Sequence, residues 1–293
     1  MKNSMLKVYL CLAAQLFLAA SIHGYVGYAV DITIENPVTK AQMECFKNAN
    51  YSRIFLAIYY EILLDEETLG TIKNAHTAGM SLELNFVPEI QSGVAAKSQI
   101  DELYNALATN GISIRRLWVE VMDPDAWQAS PANIPRNVAF FNEMVYAITN
   151  YTWSVGVFTT SADWNTILGN WGPSWFYDMH PNLWYSNTTG DGTRGETAPN
   201  FNDFTNFGVW SKNGYNSPNV KQYAKYEEFC LMTESKDFYY FPNGTSFGSV
   251  DIVDKMKFQA AIQESKSLNA ANTKSRNNNL KARRIKNLKS RHQ

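Results

Sequence analysis

A chain of 293 residues with 45% hydrophobic residues can bury a sizeable core, and its formal charge of −1 hides an asymmetry. The segment from Ser265 to Gln293 carries nine Lys/Arg and no Asp/Glu; setting it and the early Lys2 and Lys7 aside leaves 15 basic against 27 acidic residues, about −12, on the body. No recognised nucleic-acid-binding fold and no stacking aromatic accompanies the basic segment, so a nucleic-acid role is set aside.

In chain order, Lys2 and Lys7 precede an apolar stretch from Val8 to Ala20 with small residues at Ala19, Ala20, Ser21 and Gly24. That is the pattern of a secretory signal and is too short for a membrane span, so residues 1–24 are read as a removable signal and the protein as secreted. Strand patterns at Tyr28–Thr33, Arg53–Tyr60 and Ser81–Val87 alternate with helix patterns at Lys40–Ala49, Glu66–Ala78 and Gln99–Thr109, the last closed by Asn110-Gly111. The succession predicts βα units closing into one α/β barrel over residues 25–250, followed by a basic tail, 251–293, expected to be disordered.

The run Leu117-Trp118-Val119-Glu120-Val121-Met122-Asp123 comes next. Side chains alternate faces along a strand, so Trp118, Glu120 and Met122 share one face and Val119 and Val121 the other. The valine face is expected to pack on helices. The other points into the barrel, with Glu120 and Met122 toward the C-terminal mouth where active sites of such barrels lie. Asp123 falls on the opposite face of an ideal strand, and only a bulge would re-aim it. After a loop with Pro124, Pro131 and Pro135, a helix over Asn137–Thr149 and a strand over Val155–Thr160, the stretch Gly169–Tyr177 reads as an aromatic loop. Late strands near Leu183–Ser186, Val220–Tyr226 and Asp237–Phe241 have less helix between them, so the second half of the barrel is expected to be irregular.

Five segments in order, Tyr28-Ala29-Val30-Asp31, Leu117–Asp123, Val155–Thr160, Pro181-Asn182-Leu183-Trp184-Tyr185 and Val220-Lys221-Gln222-Tyr223, resemble the family 25 glycoside hydrolase lysozymes, most closely their nematode and amoeba branch. The resemblance spans roughly Tyr25 to Phe241 and implies a single irregular TIM-like β/α barrel. It also implies an N-acetylmuramidase acting on bacterial cell-wall glycan in innate defence or digestion, with no cofactor and no metal. Asp31 matches the family's first aspartate, Glu120 its central-strand aspartate, and Asp237 the aspartate near the last strand. Met122 stands where the family carries its general-acid glutamate, and a thioether cannot donate a proton. Phe158 replaces a tyrosine usual in the family's Gly-x-Tyr-Thr-Ser strand. Two outcomes stay open. Either Glu120 takes over as acid with Asp31 and Asp237 positioning substrate, or the scaffold is a non-catalytic glycan-binding or immune-modulating protein. Substrate contacts are expected from Tyr185, Trp171, Trp175, Phe158 and Met122, exposed rings in loops being suited to sugar faces.

Without the signal, Cys45 and Cys230 remain, on elements that barrel closure would bring together; they are expected to form a disulfide, two buried free thiols being the alternative. Sequons at Asn50, Asn150, Asn187 and Asn243 agree with passage through a secretory lumen. The tail reads either as a solvated segment or as an electrostatic contact to anionic bacterial envelopes. Gly244-Thr245-Ser246-Phe247-Gly248 spells a nucleophile elbow, but only His292 follows it, and the scattered His23, His76 and His180 suggest no metal site.

Overall fold

The computed structural model describes residues 25–33, 37–211, 218–241 and 249–272. The signal segment, the Asn243 sequon, the Gly244–Gly248 motif and the chain beyond 272 lie outside them. Strands β1 (Tyr25–Ile32), β2 (Tyr51–Tyr59) and β3 (Ser81–Val87) alternate with helices α1 (Lys40–Asn48) and α2 (Glu66–Ala78), and α3 (Ala96–Thr109) follows β3. A short strand β4 (Ile112–Ile114) precedes β5 (Arg116–Val121); then come α4 (Ile134–Asn150), β6 (Ser154–Thr159), α5 (Ser161–Leu168), α6 (Ser174–Asp178), β7 (Asn182–Ser186), β8 (Val220–Phe229) and β9 (Met232–Phe241). Eight of these strands close into a barrel in the order β1-β2-β3-β5-β6-β7-β8-β9. The first seven run parallel, and β9 lies antiparallel to both of its neighbours.

Local chemistry starts and stops the helices. Thr39 and Gln42 form a reciprocal capping box at the head of α1, and Asp65 caps α2, which ends on Gly79 in the left-handed region. Alternation then sorts the strand side chains into two cores. Outward-facing residues such as Ile54, Leu84, Val119, Val121 and Val157 pack under the helices. Inward-facing Ala29, Phe55, Trp118, Phe158, Trp184, Tyr239 and Phe241 fill the barrel, with the Phe55 and Trp184 rings 4.4 Å apart. Trp118 lies directly over Gly156, where any Cβ would overlap the indole, so the neighbouring strand is kept bare at that point.

The irregular second half has a concrete form. No α-helix is found between β7 and β8 among the described residues, and the chain returns through a β8–β9 hairpin whose turn residues, Cys230 and Leu231, both have positive φ (54° and 62°). That is the twist a two-residue hairpin needs. Cys230 is bonded to Cys45 of α1, with Cα atoms 5.8 Å apart, so the hairpin tip is stapled to the first helix across 185 residues of chain. In the chain-entropy limit a loop of that length stabilises by about 5 kcal/mol.

The segment assigned to a disordered tail from residue 251 is corrected over its first part. Val250–Ile252 forms β10, antiparallel to β4, and Lys255–Asn272 forms a helix, α7. Asp254 accepts from the Met256 and Lys257 N–H groups at 3.0 Å, and α7 buries Phe258 and Ile262 while packing against α2. Two buried apolar side chains and a paired strand offset the ordering cost that the polar composition of this stretch does not. No described helix is long and apolar enough to cross a membrane.

Candidate functional site

The C-terminal ends of the parallel strands surround an open cleft of about 440 Å³. This is within the range of about 300–1,000 Å³ usual for small-ligand sites. Asp31 from β1, Glu120 from β5, Met122 just past the end of β5, and Phe158 from β6 all line it. The inward face of β5 therefore runs from the packed Trp118 through Glu120 to Met122 at the mouth, as strand alternation requires.

Each cleft carboxylate is held differently. Asp31 Oδ2 accepts from Gln222 Nε2 at 2.9 Å, and Ser186 Oγ donates to Gln222 Oε1 at 2.8 Å, which fixes the amide's orientation. Glu120 is buried and its Oε2 accepts from Asn85 Nδ2 at 2.9 Å. Asp123, expected to face away unless bulged, does line the cleft. It lies just past the end of β5 with φ 61°, and this left-handed residue, not a bulge, turns the side chain inward. Its Oδ1 then accepts from the N–H groups of Asp125 (3.1 Å) and Ala126 (3.2 Å), an Asx turn that stabilises the unusual backbone.

Three further polar groups went unread in the sequence. Asn85 lies on the inward face of β3, in register with Trp118. Asp163, in the first turn of α5, has its carboxyl pushed up by burial, with a smaller opposing pull from the Thr160 hydroxyl and Lys225. Lys225 reaches the cleft because β8 shifts register around Ala224, and burial lowers its pKa against the carboxylates of Asp163, Asp191, Asp31 and Glu120, which raise it. The pattern Thr160-x-x-Asp163 after a strand was the available signal for the second of these.

Asp237 is not on the cleft surface. It is fully buried beneath it, accepting from Trp184 Nε1 at 2.8 Å. Burial first, and the Asp31 charge second, push its carboxyl well above the ordinary range. A carboxyl whose folded pKa is raised stabilises fully below the unfolded pKa of about 3.9, and that contribution is lost as pH rises through the folded value. Asp237→Asn, which keeps an acceptor for Trp184, is therefore expected to match the wild type in thermal midpoint at about pH 4 and to exceed it at about pH 8. An unchanged difference at the two pH values would show that Asp237 does not carry this linkage.

The expected aromatic contacts need correction. Tyr185 faces outward from β7 and its hydroxyl donates to Asp203 Oδ1 at 2.7 Å, in a network with Asn187 and the buried Lys221 that ties the long β7–β8 connection to the barrel wall. Alternation gives the inward position to Trp184, on which Phe158 stacks at 3.9 Å beneath the cleft. Trp171 and Trp175 are drawn away from the mouth. Trp164 Nε1 donates to the Trp171 carbonyl at 2.9 Å, Trp171 meets Phe141 edge-on at 5.7 Å, and Trp175 stacks on Tyr146 at 5.1 Å. Folding these rings against α4 buries more apolar area than leaving them over the opening.

Comparison with known proteins agrees with this architecture. A family model described as Lysozyme-like protein 1 matches residues 23–223. The chain is similar to Lysozyme-like protein 1 of Caenorhabditis elegans, 35% identical over 215 residues covering 72% of this chain and 68% of that one. It is 26% identical over 228 residues to Probable GH family 25 lysozyme 5 of Dictyostelium discoideum, covering 76% of this chain and 96% of that one. Among solved structures, the fold resembles the modular autolysin LytC from Streptococcus pneumoniae with a TM-score of 0.52 at 13% identity, over 74% of this chain and 47% of LytC, so the chain spans about half of that protein's length. LytC in complex with a synthetic peptidoglycan ligand matches with a TM-score of 0.51.

Proposed function

The chain belongs to the family of Lysozyme-like protein 1, and from that premise we propose that it is a secreted protein that binds bacterial peptidoglycan in the cleft at the barrel mouth and cuts the glycan between N-acetylmuramic acid and N-acetylglucosamine, serving defence or digestion. The observation that carries this reading is the arrival of Asp31 and Glu120, from different strands, in one open cleft at the C-terminal end of the barrel. Their carboxyls are oriented by amide donors from Gln222 and Asn85, and such fixed partners keep a reacting group in one geometry. Met122, at the next inward position just past the end of β5, lowers turnover, because it places a thioether where the chain would present an acid.

A second reading, glycan binding without cleavage, is favoured by the apolar side chains of Met122 and Phe158 in the cleft wall. One experiment separates the two. The mature protein is incubated with purified bacterial cell walls, and sedimented protein and newly formed reducing ends are measured together. Slow but steady release with binding supports hydrolysis; binding with no release above a heat-killed control supports the second reading; no binding removes both.

A further inference from the structure

We propose that Asp163 is the proton donor of this cleft, in the role that Met122 leaves unfilled. The inference rests on the glycan-hydrolase reading above. β5 and β6 are neighbours, with Val121 paired to Thr159, so the chain leaving β6 begins beside Met122 and reaches Asp163 within the first turn of α5. Asp163 lines the same cleft as Met122, Glu120 and Asp31. In the closed order of eight strands β1 and β6 are four places apart, so Asp31 and Asp163 enter the cleft from opposite sides. Glycoside cleavage wants its acid and its second carboxylate on opposite flanks of the scissile bond.

The helix cap engages only one oxygen of this side chain. Thr160 already caps α5, its Oγ accepting the Asp163 N–H at 3.0 Å, and the same hydroxyl donates to Asp163 Oδ2 at 2.7 Å. A carboxylate in a first turn is ordinarily stabilised as an anion at the helix N-terminus and gains from solvent. Asp163 instead lines the cleft half-buried, where burial raises its pKa, Thr160 and Lys225 oppose that shift, and Asp123 adds to it. Three of the other four cleft carboxyls accept from N–H donors, Glu120 from Asn85, Asp31 from Gln222, and Asp123 from two backbone amides, and the fourth, Asp125, is exposed to solvent. Thr160 holds one Asp163 oxygen and leaves the other to carry a transferable proton.

In the step itself, the glycosidic oxygen takes the Asp163 proton as its bond to C1 breaks, and the bonding electron pair leaves with that oxygen as a sugar hydroxyl. Water adds to C1, and the proton it sheds passes to the Asp31 carboxylate. Solvent then removes that proton and reprotonates Asp163.

The test measures reducing-end release from purified peptidoglycan against pH for the wild type, Asp163→Asn, and Asp163→Asn combined with Met122→Glu, with wall binding and unfolding midpoint recorded for each. General acid catalysis is worth about 10²- to 10⁴-fold, so Asp163→Asn should lose release by that factor while still binding walls, and the double variant should recover it. Wild-type release should also fall on the alkaline side. Should the asparagine variant fail to fold, Thr160→Val, which removes the hydroxyl that lowers the Asp163 pKa, should move that limb to higher pH, an unmoved limb overturning the assignment. Release by a folded Asp163→Asn protein at the wild-type rate, or an alkaline limb unchanged in that variant, overturns the assignment of Asp163 alone. A wild type that binds walls and releases nothing overturns the hydrolase reading and this proposal together.

Discussion

Glutamine in place of Glu83 is expected to destabilise the protein by about 3–5 kcal/mol, the usual loss when one partner of a buried ion pair is removed. Glu83 lies on the inward face of β3 two residues before the cleft-lining Asn85, beneath the cleft, and is fully buried. Its Oε1 receives Arg53 Nη1 at 2.9 Å and Arg116 Nη1 at 3.0 Å, while Oε2 receives Trp118 Nε1 at 3.1 Å. The guanidiniums also lie over rings, Arg53 at 4.5 Å from Tyr239 and Arg116 at 4.5 Å from Phe241. Burial lowers the Arg53 pKa and the Glu83 charge does most to hold it up, so neutralising Glu83 leaves a guanidinium in the barrel without its counter-charge. Aromatic faces return only about 1–2 kcal/mol of that. By contrast, the Lys97–Asp101 pair on α3, with side chains 55% and 32% exposed, is expected to be worth a few tenths. Urea unfolding of Glu83→Gln checks the claim. A loss below about 1 kcal/mol would mean that water or rearrangement satisfies the arginines.

The layered barrel was legible because its signal is local and repeated. Alternation within Leu117–Asp123 correctly separated Val119 and Val121, which pack under the helices, from Trp118, Glu120 and Met122, which face inward. The β8–β9 hairpin was not, because its turn is Cys230-Leu231 and carries neither glycine nor asparagine; the disulfide and the paired strands impose the positive φ angles that the residue types disfavour. Helix α7 escaped for a related reason. Its apolar contact comes down to Phe258 and Ile262 within a polar stretch, and composition outweighs two side chains when read along the chain.

At the site, strand ends were readable and loops were not. Asp31 and Glu120 follow from position on a strand, whereas Asp123, Asp163 and Lys225 reach the cleft through a single left-handed residue, a helix cap and a register shift. Each of these is decided by tertiary packing within two or three residues. Trp171 and Trp175 show the converse error: loop aromatics with glycine and proline around them look exposed, yet their rings find partners in Phe141 and Tyr146.

Met122→Glu is expected to raise reducing-end release, by up to about 10²- to 10⁴-fold in a protein whose Asp163 has been neutralised and by less when Asp163 is intact, since two donors then serve one leaving oxygen. The side chain is already in place: Met122 lines the cleft two residues beyond Glu120 and packs against the apolar interior. Glutamate is similarly unbranched, so the exchange keeps the reach of the side chain while replacing a thioether by an acid. The surroundings favour the protonated form, because the new carboxyl would join Asp31, Glu120, Asp123 and Asp163 around a cleft whose lining includes Lys225, and like charges raise one another's pKa. A carboxylic acid that keeps its proton toward neutrality is what a leaving oxygen requires. The cost falls on stability, about 1–3 kcal/mol for moving a polar group against Phe158 and its apolar neighbours, and is measurable as a lower unfolding midpoint. Release assays on folded protein decide the matter. A Met122→Glu variant that binds cell walls and shows no gain in either background would place the deficit elsewhere in the cleft, with Phe158, stacked on Trp184 below the carboxylates, as the next side chain to replace.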